Sequence, residues 1–172
     1  MFPAGWSLFS VPIEPDPTDV RDQLSDDLAN IQVFQYFDRE FYEPESEQRV
    51  DIQAGIGYWI FLDNDASLDF EGVLTEPEQS LEIPLNEGWN LVGNPYDSVT
   101  IGGGDMIIIN EGEQAGIDEA VARGWLAPEV YGYNQATGGY ERHPIGSPMS
   151  PWDGYAIKAI EKCTLIIKKA SD

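Results

Sequence analysis

Gly5-Trp6-Ser7-Leu8, followed by Pro12, and Gly88-Trp89-Asn90-Leu91, followed by Pro95, decide how this chain is read. Each matching residue lies 83 positions from its counterpart. Further along, the spacing widens to 97. Val33-Phe34-Gln35-Tyr36 answers Val130-Tyr131-Gly132-Tyr133, and Gly57-Tyr58-Trp59-Ile60 answers Gly154-Tyr155-Ala156-Ile157. Leu68-Asp69-Phe70 then answers Leu165-Ile166-Ile167. An ordered series of matches with one change of spacing marks an internal duplication. The difference of 14 residues places a single insertion between Pro95 and Val130, around Gly102-Gly103-Gly104-Asp105-Met106-Ile107-Ile108-Ile109-Asn110-Glu111-Gly112. The predicted organisation is copy 1 over residues 1–72, a connection and lead-in strand over 73–84, and copy 2 over 85–172. The insertion falls near 100–114, and the two copies form one unit.

Each copy reads as short strands around one helix. The Gly-Trp-x-Leu segment alternates and stops at proline. Val20, Leu24, Leu28 and Ile31 then recur at helical spacing, with Asp16, Thr18 and Asp19 near the start, where free N–H groups favour oxygen acceptors. Ile117, Val121 and Trp125 take those places in copy 2, with Asp118 and Glu119 as the early acids. Strands follow at Val33–Phe37 and Val130–Asn134, with second strands around Tyr42 and Tyr140. Ala136-Thr137-Gly138-Gly139 suits the hairpin turn of copy 2. A last hairpin is expected to pair Tyr58–Leu62 with Leu68–Phe70, and Tyr155–Ala159 with Thr164–Ile167. Ser80–Leu85 reads as a lead-in strand, which copy 1 lacks because it starts four residues before Gly5. That start suggests a piece of a longer polypeptide. The predicted fold is mainly β (α+β), an internally duplicated sandwich or partly closed barrel with pseudo-twofold symmetry and one short helix per repeat.

The composition narrows the function classes. The 172 residues carry 31 acidic and 9 basic side chains, a net charge of −22, with 42% hydrophobic and 12% aromatic residues. That aromatic content separates the chain from acidic disordered sequences and suffices for a core. The charge excludes a phosphate-binding footprint and disfavours anionic membrane surfaces. No apolar run reaches the roughly 18 residues that a membrane-spanning helix needs. A single cysteine, Cys163, rules out an internal disulfide.

The sequences Gly88-Trp89-Asn90-Leu91-Val92-Gly93-Asn94-Pro95-Tyr96 and Gly55-Ile56-Gly57-Tyr58-Trp59-Ile60 resemble a repeat of secreted and surface bacterial proteins. In that tandem "GWNLIGNP…GYW" module a "V-Y-x-Y/W" strand, a "G-G-Y-E" hairpin and a "P-G-x-G-Y-W/F-V" hairpin follow. Val130-Tyr131-Gly132-Tyr133 and Gly138-Gly139-Tyr140-Glu141 fit the middle parts. The resemblance covers nearly the whole chain twice. It implies a non-catalytic, mainly β module of a large extracellular protein and carries no catalytic residues. Ala156 in place of Trp59, and the Gly-rich insertion, depart from it.

The residues offer little for catalysis. His143, the only histidine, has no nucleophile motif to serve and reads as a solvated loop residue. Cys163 lies beside Lys162, which would lower its pKa somewhat, but no paired base is evident. Acid pairs could run glycoside hydrolysis, yet nothing marks one carboxylate as tuned. Gly102-Gly103-Gly104 leads into Ile107-Ile108-Ile109 rather than a phosphate-binding helix and reads as the approach to an added strand. Asp63, Asp65 and Asp69 invite a calcium reading, but Leu68 and Leu74 occupy the positions where an EF-hand needs Gly and Glu. A tight turn is the commoner role for Asp63-Asn64-Asp65, and a weak calcium site the alternative.

Aromatic residues offer the other candidate site. Phe34 and Tyr36 share one strand face, as do Tyr131 and Tyr133. Exposed, these pairs with Trp152 would make a sugar-stacking platform. Facing inward they are core, the commoner fate, and Trp6 and Trp89 read as structural on the same logic. Abundant acids with only four lysines fit either a high-salt medium or a calcium-rich exterior, and their even spread favours the former. The sequence therefore predicts a non-catalytic structural or adhesion module of a larger secreted or cell-surface protein. Its expected partners are the parent's other domains, glycans or a protein, without nucleic acid, membrane insertion or an obligatory cofactor. A carbohydrate-binding module is the alternative, and an acid-pair glycosidase a remote third.

Overall fold

The computed structural model describes residues 1–28, 32–37, 40–42, 50–76, 79–96, 99–102 and 104–168. Its first half runs β1 (Gly5–Phe9), β2 (Ile13–Pro15), α1 (Val20–Leu24), β3 (Val33–Phe37), β4 (Glu40–Tyr42), β5 (Tyr58–Leu62) and β6 (Gly72–Leu74). The second half begins with β7 (Leu81–Leu85), β8 (Gly88–Gly93), β9 (Val99–Thr100), β10 (Met106–Asn110), β11 (Glu113–Gly116) and α2 (Ile117–Ala122). It continues through β12 (Leu126–Asn134), β13 (Gly139–His143), β14 (Pro148–Met149), β15 (Gly154–Ala159) and β16 (Cys163–Ile167). The protein is mainly β, of sandwich type, and among the described residues no sheet closes into a barrel.

Two four-stranded antiparallel sheets share a strand order, β1-β5-β3-β4 and β8-β15-β12-β13. They also share a register. Trp6 pairs with Phe61 and Phe9 with Tyr58, as Trp89 pairs with Lys158 and Val92 with Tyr155. Val33 opposes Ile60 and Phe34 opposes Trp59, as Val130 opposes Ile157 and Tyr131 opposes Ala156. All these pairs are related by shifts of 83 residues on one strand or 97 on the other.

A third sheet, β11-β10-β16-β7, belongs to the second half alone. The β10–β11 hairpin supplies one side of it, with β11 at the edge, and Met106, Ile108 and Asn110 alternate inward along β10. The expected last hairpin is therefore corrected. β16 pairs with β10 and β7, not with β15, and residues 68–70 form no strand. The physical reason lies in its burial: Cys163, Leu165, Ile166 and Ile167 are all buried, so β16 needs cover on both faces.

Helix α1 begins where expected, because the Asp19 carboxylate accepts the Arg21 N–H at 2.9 Å and Val20 and Leu24 turn into the core. It ends at Leu24, with one further Leu28-to-Leu24 backbone bond of 2.9 Å; Ile31 lies outside the described residues. Trp125 lies beyond the end of α2, where its ring is buried and the Arg123 guanidinium sits 4.8 Å from its centre.

Each half has its own apolar core, one including Phe9, Val20, Leu24, Tyr58 and Ile60, the other Val92, Ile108, Tyr155, Ile157 and Leu165. The two buried tyrosines do matching work. Tyr58 accepts the Gln53 N–H at 2.9 Å and donates to the Asp51 carbonyl at 2.9 Å, and Tyr155 accepts the Ser150 N–H at 2.8 Å. Burial raises the pKa of both phenols.

Candidate functional site

The halves meet along a seam built from backbone and rings. Ser10 donates its N–H to the Trp152 carbonyl at 3.0 Å, and Gly93 donates to Gly55 at 2.8 Å, the same bond shifted by 83 and 97 residues. Close approach is possible because Gly154 has no Cβ. One would stand 2.8 Å from Leu8 Cγ and 2.9 Å from the Phe9 carbonyl.

Rings fill the remainder of the seam. The Trp6 ring packs against Phe34, Trp59 and Phe61, with centroids 5.4, 6.1 and 5.2 Å away. Trp59 crosses between halves to meet Tyr133 edge-on at 4.8 Å and Tyr140 at 6.3 Å. At the opposite end Trp89 meets Tyr131 at 5.8 Å, with the Lys158 ammonium 5.9 Å from its ring centre. Edge-on pairs of this kind contribute about 1 kcal/mol each beyond area burial.

The predicted platform is thus distributed. Phe34, Tyr131 and Tyr133 are half-buried and belong to neither apolar core; Tyr133 packs across the seam, while Phe34 and Tyr131 pack on Trp6 and Trp89 of their own halves. The side chain of Tyr36 lies outside the described residues. Trp6 and Trp89, expected to be structural, each remain 43% exposed while packing in the seam.

Tyr133 and Trp152 do come together, at a cleft of about 370 Å³ that also borders Phe2, Pro3, Ser7 and Leu68. Gln135 donates its amide N–H to the Pro3 carbonyl at 3.1 Å and pins the N-terminal segment across the cleft's edge. The Ser7 hydroxyl is buried there with no hydrogen-bond partner, a costly state for a polar group. Trp152 has φ +71°, a left-handed backbone unusual for a bulky residue. Its counterpart in the first half is Gly55, with φ +76°. The Trp152 ring stacks on Phe70 at 5.8 Å. Sequence reading grouped Trp152 with the strand aromatics but missed Ser7, Leu68 and Gln135. The only signal for Ser7 was that Asn90 stands in its place in the second half.

Titratable groups elsewhere have structural surroundings. His143 lies on β13, not in a loop, and its ring meets Tyr155 edge-on at 5.2 Å, in space left by Gly132. Burial, assisted by the charge of Glu161, pushes the Cys163 thiol up to about 11, so the lowering expected from Lys162 is overridden. Asp63 is exposed, Asp65 accepts the Ala4 N–H at 2.9 Å, and the Asp69 N–H donates to Asp27 at 2.7 Å. Among the described residues, no three His, Cys, Asp or Glu side chains converge on a metal position. None of the described helices is long and apolar enough to cross a membrane.

Comparison with family models, curated proteins and solved structures gave no match.

Proposed function

We propose that the chain is a non-catalytic module of a larger extracellular or cell-surface protein, serving as a spacer or adhesion domain. One observation carries this reading: aromatic rings of one half are engaged with rings of the other. Trp59 on Tyr133 and Phe70 on Trp152 cross between the halves and rigidify their junction, which suits a load-transmitting unit. The parent's other domains are its nearest partners, and the charge of −22 keeps it soluble at high salt.

A carbohydrate-binding reading has its own support, because Tyr133 and Trp152 share one cleft and Tyr140 beside it is 62% exposed. Affinity electrophoresis through soluble polysaccharides, with calcium and again with EDTA, decides between them. The structural module migrates unretarded in every gel. Retardation by one glycan that Tyr133→Ala abolishes in a folded protein overturns it, and loss of that retardation in EDTA assigns calcium a role.

A further inference from the structure

Strand β16 has a neighbour on each edge, β10 on one and β7 on the other. Its counterpart in the first half, Ala66–Phe70, has one antiparallel pair, with Phe2. There Phe2 donates to Ala66 at 2.7 Å and Ala66 to Phe2 at 2.8 Å, matching the Leu85–Cys163 pair of β7 and β16. Extended backbone alternates its bonding direction, so Leu68 and Phe70 turn their N–H and C=O groups to the same edge as Ala66. Asp69 and Glu71 turn the other way, and their N–H groups donate to Asp27 at 2.7 Å and Gln23 at 2.8 Å. Among the described residues, no hydrogen bond reaches the backbone of Leu68 or Phe70. In the second half the equivalent Leu165 and Ile167 are paired with Ile83 and Leu81 of β7.

The cleft adjoins this edge. In the second half, the Leu81 and Ile83 side chains close over Gly55, 2.2 and 3.0 Å from where its Cβ would stand. In the first half Trp152 occupies the Gly55 position and stacks on Phe70, and beside it the cleft contains the unpartnered Ser7 hydroxyl. Asp65 and Asp69 flank the edge in a chain of charge −22, so a second copy would be repelled and a basic segment attracted.

We propose that the Ala66–Phe70 edge accepts an extended strand of a partner protein, apolar at alternate positions and basic between them. The strand adds antiparallel to Leu68 and Phe70 as β7 does to β16, and its backbone supplies the missing ladder bonds. An apolar side chain enters the cleft beside Trp152, and the basic residues face Asp65 and Asp69. This deepens the reading of a non-catalytic adhesion module, on which it rests.

The probe is a synthetic peptide with the sequence of residues 79–83 carrying Glu82→Lys, which stops short of the place Phe2 already holds, titrated into the 172-residue chain. Amide spectra and hydrogen exchange are followed at Leu68 and Phe70. Both amides should shift saturably, exchange at least about 10-fold more slowly at saturation, and lose affinity several-fold as salt rises. A peptide N-methylated on the edge-facing amides should do neither. No shift at these two amides, or an equal response to the N-methylated peptide, overturns the proposal. So does protection only when the same segment is fused ahead of Met1, which assigns the edge to the chain's own continuation. Failure here leaves the polysaccharide test untouched, so the two readings fall separately.

Discussion

The two halves of this protein solve one packing problem differently. In the second, β16 lies between β10 and β7, and every one of its residues except Thr164 is buried. In the first, the equivalent Ala66–Phe70 has one strand-like pair, Leu68 and Phe70 are only half-buried, and Trp152 covers part of the edge. The lesson is that the shared four-stranded sheet is sufficient to set register, while the outer layer depends on which extra strand is available. A bulky residue at positive φ stands where that strand is missing, and glycine stands where it is present.

Truncation at equivalent core positions is the hardest test of this contrast. Leu165→Ala removes a fully buried side chain and should cost about 3 kcal/mol, whereas Leu68→Ala at the open edge should cost about 1 kcal/mol. Urea unfolding of both variants measures the difference. Equal costs would show that the first half is as well packed as the second.

Exchanging the residues at the two matching turns comes next. Gly55→Ala puts a Cβ 2.2 Å from Leu81 Cδ2 at φ +76° and should destabilise by about 2 kcal/mol. Trp152→Gly relieves strain of about 1 kcal/mol while losing the Phe70 contact, and the two should nearly cancel. Thermal melts of the pair would show a clear loss for the first and little change for the second, at positions that share a backbone conformation. A large loss for Trp152→Gly would make its ring a core element instead.

The tyrosine hydroxyls sharpen the symmetry. Tyr58→Phe strands the Gln53 N–H and the Asp51 carbonyl and should cost about 2 kcal/mol; Tyr155→Phe strands the Ser150 N–H and should cost about 1 kcal/mol. Chemical denaturation at neutral pH is the measurement, and a reversed order would contradict the hydrogen-bond inventory.

The smallest expected effect is confined to alkali. An unfolded Cys163 loses its proton near 9.0, and the folded one near 11, so the folded state holds that proton longer. Stability contributed below pH 9 is therefore lost as pH rises from about 9 to 11, and Tyr58, raised by burial, adds to the loss above pH 10. Urea midpoints between pH 8 and 11 should fall less steeply in Cys163→Ala. At pH 8 the native thiol should react slowly with an aromatic disulfide reagent; rapid reaction would place it at the surface.

Much of the local structure was legible in the residues. Gly-Trp-x-Leu spacing marked β1 and β8, Asp19 marked the start of α1, and the Ile107-Ile108-Ile109 run after glycine marked β10. The destination of β16 was not legible, because a short apolar run pairs as well with β10 and β7 as with the strand before it. For the candidate site, Tyr133 and Trp152 were flagged by residue type, but Ser7, Leu68 and Gln135 come from distant parts of the chain.

By itself the sequence determined periodicity, turns, the charge of −22 and the paired motifs, since these depend on neighbours a few residues apart or on simple counting. Only the tertiary structure decided that the strand aromatics fill a seam, that Cys163 is buried beside Glu161, and that Ala66–Phe70 has an open edge. Those outcomes depend on which long-range strand pairs form, and alternate pairings of short apolar strands differ in burial, which local sequence does not encode.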